Sequence, residues 1–395
     1  MLALRLARGS HPLVLLRRLL VAASSAGTGF LLLCTLSHAV AHPEQSAQSS
    51  LRLLWCAVPL AATAYLAVAV ARTDPSTRPR PGLSAIGLGP VRLTAIAAAS
   101  TALCTALGSM LALLLFLQMR GGIGGLPLDG AAAGLLAAGR PLPLGAALIL
   151  LSLTPVIASC ATALALCPRR TKPGKPGKDP AQDGTEPAPP PAGLPWGVAL
   201  TTAGLAMGAY AANSSAPDAR SALLPLPGEL QGSPAGVLAG WLVAAIGLAM
   251  AGPGLTHLCG RFLQAARPGA VRLLAGRALQ AEARRIGRPL GVLCAVAAAT
   301  YTAANLYAAA GKPPAFGPLT GLGAALVMGC TVATLLTAAL ETTHDRAGTR
   351  DTMLRLGAPA KLLRAAAALR AVALLALFAP VTWLVGELAV LPLSP

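Results

Sequence analysis

The fold class predicted for this chain is all-α, a polytopic helical membrane protein with about nine transmembrane helices, and three observations predict it. The 395 residues are 55% hydrophobic and only 11% charged, where a soluble domain carries roughly 25% charged residues. A spanning helix needs about 20 mostly apolar residues, and nine runs meet that need: 14–37, 51–71, 94–118, 144–166, 194–212, 235–256, 289–310, 318–340 and 368–392. Lys and Arg, finally, are segregated. With the N-terminus inside, the inner segments 1–18, 72–93, 167–193, 257–288 and 341–370 hold 26 of the 31 basic residues, as the positive-inside rule requires.

Taken in order, the first run follows Arg5, Arg8, Arg17 and Arg18. Ala39-Val40-Ala41 is similar to a signal-peptidase site, but the run is longer than a signal's apolar core, so a retained helix is expected. Four helices fill 1–167. Segment 168–193 is rich in Pro, Gly and Lys, a composition that reads as a disordered cytoplasmic linker. A further helix pair occupies 194–256, and three helices follow in 257–395. This places the chain in the cell membrane as a multi-pass protein, N-terminus cytoplasmic and C-terminus extracytoplasmic. The outer segments 38–50, 119–143, 213–234 and 311–317 are too short for a folded domain. Gly121-Gly122-Ile123-Gly124-Gly125 reads as a flexible loop, because no strand and helix flank it to shape a phosphate cradle. Asn213-Ser214-Ser215 fits a glycosylation sequon.

A net charge of +18 raises the question of nucleic acid, but its placement answers to topology and to anionic inner-leaflet lipid instead. Nucleic acid is not an expected partner; membrane lipid is. The eight cysteines form no C-x-x-C, so neither a zinc site nor a disulfide framework is predicted, and they read as small core residues. His11, His38, His42, His257 and His344 are scattered, with no H-E-x-x-H and no paired spacing. No metal, cofactor or catalytic residue is expected, and no enzyme activity. Gly174-Lys175-Pro176-Gly177-Lys178 sits in the linker, without the strand and helix of a phosphate loop. Ionisable groups are scarce in the apolar runs: Glu387 near the outer end of the ninth is the clear case, and Asn305 in the seventh is merely polar. That scarcity counts against an ion-coupled secondary transporter.

The informative stretch is Glu341 to Arg370. Met353, Leu356, Ala360 and Leu363 recur at spacings of 3, 4 and 3, one stripe of a helix. Arg346, Arg350, Arg355, Lys361 and Arg364 surround the stripe, while Gly357 and Pro359 break it. Such a segment suits the cytoplasmic membrane surface or a partner's groove better than the bilayer core. A shift of 270 residues brings Arg80, Leu83, Ile86, Gly87, Pro90 and Leu93 onto Arg350, Met353, Leu356, Gly357, Ala360 and Leu363. The same shift maps 51–71 onto the eighth run and 94–118 onto the ninth, and Arg18 onto Arg288. Two degenerate repeats are therefore expected, 1–167 and 257–395, the second lacking its last helix because 144–166 maps beyond residue 395.

The run Arg350-Asp351-Thr352-Met353-Leu354-Arg355-Leu356-Gly357-Ala358-Pro359-Ala360-Lys361-Leu362-Leu363-Arg364 resembles the basic inner segment of the FtsX-like permeases of ABC transporters. Glu341 is similar to the Glu that often opens it, and Ala85-Ile86-Gly87-Leu88-Gly89-Pro90-Val91-Arg92-Leu93 resembles a worn copy. The likeness is specific over some 30 residues of the second half and about 15 of the first. The short outer segments and the absent last helix depart from the family pattern. The resemblance implies a permease subunit that couples ATP hydrolysis on a separate ABC ATPase subunit to export, extraction or mechanotransmission. Its ATPase-coupling segment would be carried by Arg350, Met353, Arg355, Leu356, Gly357, Ala360, Lys361, Leu363 and Arg364, with pairing of two permeases as a further arrangement. The alternatives are an ATP-independent secondary transporter or a non-transporting integral membrane protein.

Overall fold

A computed structural model describes residues 12–74, 90–121, 140–167, 193–213, 234–265, 269–309, 318–357 and 359–393. Among them every regular element is helical. The helices are α1 (Pro12–Ala41), α2 (Ser46–Trp55), α3 (Ala57–Thr73), α4 (Pro90–Met119), α5 (Leu144–Leu166), α6 (Gly193–Asn213), α7 (Pro234–Gln264), α8 (Ala270–Ala309), α9 (Pro318–Asp345), α10 (Ala347–Arg355) and α11 (Ala360–Val390). Eight described helices are long and apolar enough to cross a membrane. The expected span 194–212 does form a helix, α6, but is not one of the eight. Its Gly and Thr content, including Gly197, Thr201, Thr202, Gly204 and Gly208, dilutes its hydropathy.

The apolar surface explains why a bilayer is the fitting solvent. On α4, Leu103, Leu107, Met110, Leu111 and Leu114 are all exposed, at spacings of one helix face. A water-soluble protein seldom shows so large an apolar strip, whereas lipid tails accept it. Away from helix ends and internal prolines, backbone groups are satisfied along their own helix, as a lipid environment requires. Prolines at 155, 253, 289 and 380 lie within helices without ending them.

The chain divides into two compact units, Met1–Arg169 with Phe316–Thr337 and Arg170–Ala315 with Ala338–Pro395. In the first, α1 packs most extensively on α4, which in turn packs on α5. The approach of α1 to α4 depends on Gly108, where an added Cβ would lie 2.3 Å from the Ala22 carbonyl oxygen. Ser25 Oγ donates to the Thr105 carbonyl at 2.7 Å and Thr28 meets Thr63 at 2.9 Å, interhelical bonds worth about 0.6 kcal/mol each in a membrane. Leu33, Ala112, Phe116 and Leu151 form one buried cluster. Cys330 and Ala333 of α9 join Val21, Leu66, Ala67 and Val70 in another, so the first part of α9 belongs to this unit rather than following the sequence boundary at 257.

In the second unit, α7 is sandwiched between α6 and α8. Small residues let the backbones touch: a Cβ on Gly204 would lie 2.4 Å from Ala244 N, and one on Gly252 would lie 2.1 Å from Gly287 O. Helix α11 packs on α8 around Leu279 and Ala366. Near the other end of that pair Tyr301 donates to Glu387 Oε1 at 2.6 Å and Thr302 to the Gly386 carbonyl at 3.3 Å.

Candidate docking segment and the charge cluster beneath it

Helix α8 has 40 residues, about 60 Å of helix, against a hydrocarbon core of roughly 30 Å. Its N-terminal half must therefore outrun the bilayer. The expected start at residue 289 is corrected to Ala270: the basic segment before the apolar run is helical too, because its second face is buried. Ala275, Leu279, Glu282 and Ala283 are buried there, while Arg272, Arg277, Arg284, Arg285 and Arg288 are exposed.

On that buried face Glu282 is only 9% exposed. A lone carboxylate could not stay ionised there. Arg346 supplies the counter-charge, its Nε 2.5 Å from Glu282 Oε1, and it also donates to the Ala278 carbonyl at 3.1 Å. Arg370 of α11 approaches the other carboxylate oxygen at 4.0 Å. One acidic side chain thus fastens both ends of the segment 346–370 to α8. Sequence reasoning missed Glu282, although it is the one carboxylate among the seven basic residues of 257–288. That imbalance was the available signal.

The segment itself is two helices and a turn. Thr352 O accepts from Leu356 N at 3.0 Å and Leu354 O from Gly357 N at 3.1 Å, closing α10. Gly357 then adopts φ +88°, with nothing within 4 Å of an added Cβ. This left-handed region disfavours any side chain. Pro359, extended, starts α11. The predicted stripe is consequently split. Met353, Ala360 and Leu363 are half-buried, whereas Leu356 stands in the turn 82% exposed, with Leu354 at 37% beside it. Arg350, Arg355, Lys361 and Arg364 are all exposed around it.

Of the first-repeat counterparts, Arg80, Leu83, Ile86 and Gly87 lie outside the described residues. Pro90 opens α4, and Leu93 is buried. The starts of α4 and α11, at 90 and 360, coincide under the shift of 270. At the same end of the first unit Arg18 pairs with Asp74 at 2.9 Å, tying the start of α1 to the end of α3.

Five of the eight cysteines are buried, but Cys160 of α5 and Cys167, at its C-terminal cap, are exposed. Among the described residues no group of three or more His, Cys, Asp or Glu is arranged to hold a metal ion. No protein-family model, curated protein or solved structure matches the chain.

Proposed function

We propose that this multi-pass membrane protein is the permease subunit of an ABC transporter, resembling the FtsX-like type, and that it works with a separate ATPase subunit. The observation that carries the reading is the turn at Leu356. A leucine 82% exposed stands in a segment that carries four exposed cationic side chains and is joined through Arg346 and Arg370 to a buried carboxylate, which makes it an apolar knob on a charged surface. An apolar knob with a charged rim fits a groove with acidic walls, where the rim orients and the knob anchors. Because Arg346 is held by α8 and Arg370 lies in α11, a push on the knob would move two packed helices as a body, the manner in which rigid elements pass on a change.

The reading is tested by affinity purification of the full chain from its native host, with bound proteins identified by mass spectrometry. An ATPase carrying a phosphate loop should accompany the chain, and a Leu356→Asp, Gly357→Asp double variant should lose it while remaining in the membrane fraction. Retention of the ATPase by that variant removes the segment from the docking role. Uptake into ATP-free vesicles driven by an ion gradient would replace the proposal with secondary transport.

A further inference from the structure

The second unit carries one carboxylate that its own cations do not reach. Every described Lys and Arg of this unit falls within residues 261–288 or 346–370, at the end that holds the docking segment. Glu387 sits at the opposite end of α11, one turn before its last residue, Val390. Arg370 is about 25 Å away along α11, and Arg288 is about 20 Å from Tyr301 along α8. An ionisable side chain in a helix that crosses a membrane is rare, costly and by default the mark of a site.

Tyr301 of α8 is the partner that Glu387 does have. Its hydroxyl donates to Oε1 at 2.6 Å, a separation typical of an O–H given to an ionised carboxylate. A phenol supplies a dipole and no counter-charge. The other oxygen, Oε2, has no hydrogen-bond partner among the described residues and is not shut off from the surface.

The carboxylate stands at a seam. On one side Gly386 and Ala389 are buried against α8, where a Cβ on Gly386 would lie 2.6 Å from Tyr301 Cδ1. On the other side Trp383, Leu384 and Leu388 are exposed, Trp383 by 57%. Trp383 precedes Glu387 by four residues, so the two are neighbours on one helix face, with Cβ atoms about 6 Å apart. The seam is therefore open sideways to lipid and offers a carboxylate beside an indole. Among the described residues no group of three or more His, Cys, Asp or Glu could hold a metal ion, and a single carboxylate makes a poor cage for a divalent cation. An organic ammonium asks for less, one anion for its charge and one aromatic face.

We infer that Glu387, with Tyr301 and Trp383, binds an organic ammonium group, supplied either by a phospholipid headgroup or by a free amine. Tyr301 fixes one carboxylate oxygen and leaves the other for the ammonium. One turn from the end of α11, the pair lies at headgroup depth, where a lipid presents such a group. Lys312, in the segment after α8, lies outside the described residues and is the cation of this chain that competes for the same carboxylate.

The test uses the full chain purified in neutral detergent, its thermal unfolding followed with phosphatidylethanolamine, with diacylglycerol and with free ethanolamine. Phosphatidylethanolamine should stabilise the chain, and diacylglycerol, which has no ammonium, should not. Stabilisation by ethanolamine as well assigns the site to the ammonium from either source; its absence assigns it to the lipid headgroup. Glu387→Gln keeps an acceptor for Tyr301 but loses the charge, so the apparent affinity should fall about tenfold. Trp383→Leu should lower it about two- to fivefold, and Lys312→Gln should leave it unchanged. The inference is overturned by an unresponsive wild type, by equal responses in wild type and Glu387→Gln, or by equal stabilisation with both lipids. Tighter binding by Lys312→Gln than by wild type also overturns it, because Lys312 would then be the occupant.

Discussion

Replacing Glu282 with alanine removes the carboxylate that pairs with Arg346 and faces Arg370. A fully buried pair broken in this way costs about 3–5 kcal/mol. Here the Arg346 side chain is 32% exposed, so part of its solvation is recovered and a loss of about 2 kcal/mol is expected. Glu282→Arg combined with Arg346→Glu should restore much of it, because the pair is re-formed with its sense reversed. Thermal unfolding of the detergent-solubilised variants measures both effects. Gly357 is the second residue whose replacement has a defined consequence. At φ +88° an alanine costs about 1 kcal/mol, and nothing nearby would clash with it. Gly357→Ala should therefore alter the turn between α10 and α11 while leaving the rest of the chain folded, seen as faster trypsin cleavage at Arg355 and Lys361.

Among the elements, α7 depends most on side chains that are absent. Its neighbours approach so closely that Gly252→Leu would drive a side chain into the Gly287 carbonyl, 2.1 Å from the ideal Cβ position. Such overpacking has no flexible neighbour to yield, so this variant should lose more than about 3 kcal/mol and show sharply reduced folded yield by size-exclusion chromatography. Leu375→Val on α11, where Leu375 is 69% exposed to the lipid side, should leave yield and unfolding temperature nearly unchanged. The contrast separates packing by small residues from mere hydrophobicity. Helix α8 shows why helix length deserves its own reading: hydropathy marks the part inside lipid, and only the buried face of 270–288 reveals that the helix continues.

For the whole molecule the tests concern sidedness and assembly. A single cysteine replacing Arg350, in a chain whose own cysteines are changed to alanine, should react with an impermeant maleimide only after cells are opened. One replacing Glu44 should react in intact cells. Reaction of both from the same side would end the topology drawn from Lys and Arg, and with it the docking of the 341–370 segment on a cytosolic ATPase. The two repeats expected from the sequence rest on a shift of 270, under which the helix starts at Pro90 and Ala360 coincide. The units do not follow that division, because the first 20 residues of α9 pack with α1 and α3 instead.

The residues by themselves determined the class and the approximate spans. Runs of about 20 apolar residues leave the backbone no partner but its own helix once water is gone, and the basic segments are local enough to count. The exposed cations around Gly357 were legible for the same reason, as were the breaks at Gly357 and Pro359. Tertiary structure alone decided the rest. Which face of a uniformly apolar helix meets a neighbour has no periodic signal when lipid and protein are equally hydrophobic, so the partners of α7 and the split of α9 were hidden. Glu282 with Arg346, and Arg140 with the Val40 carbonyl, are juxtapositions across dozens of residues, created only when the helices pack.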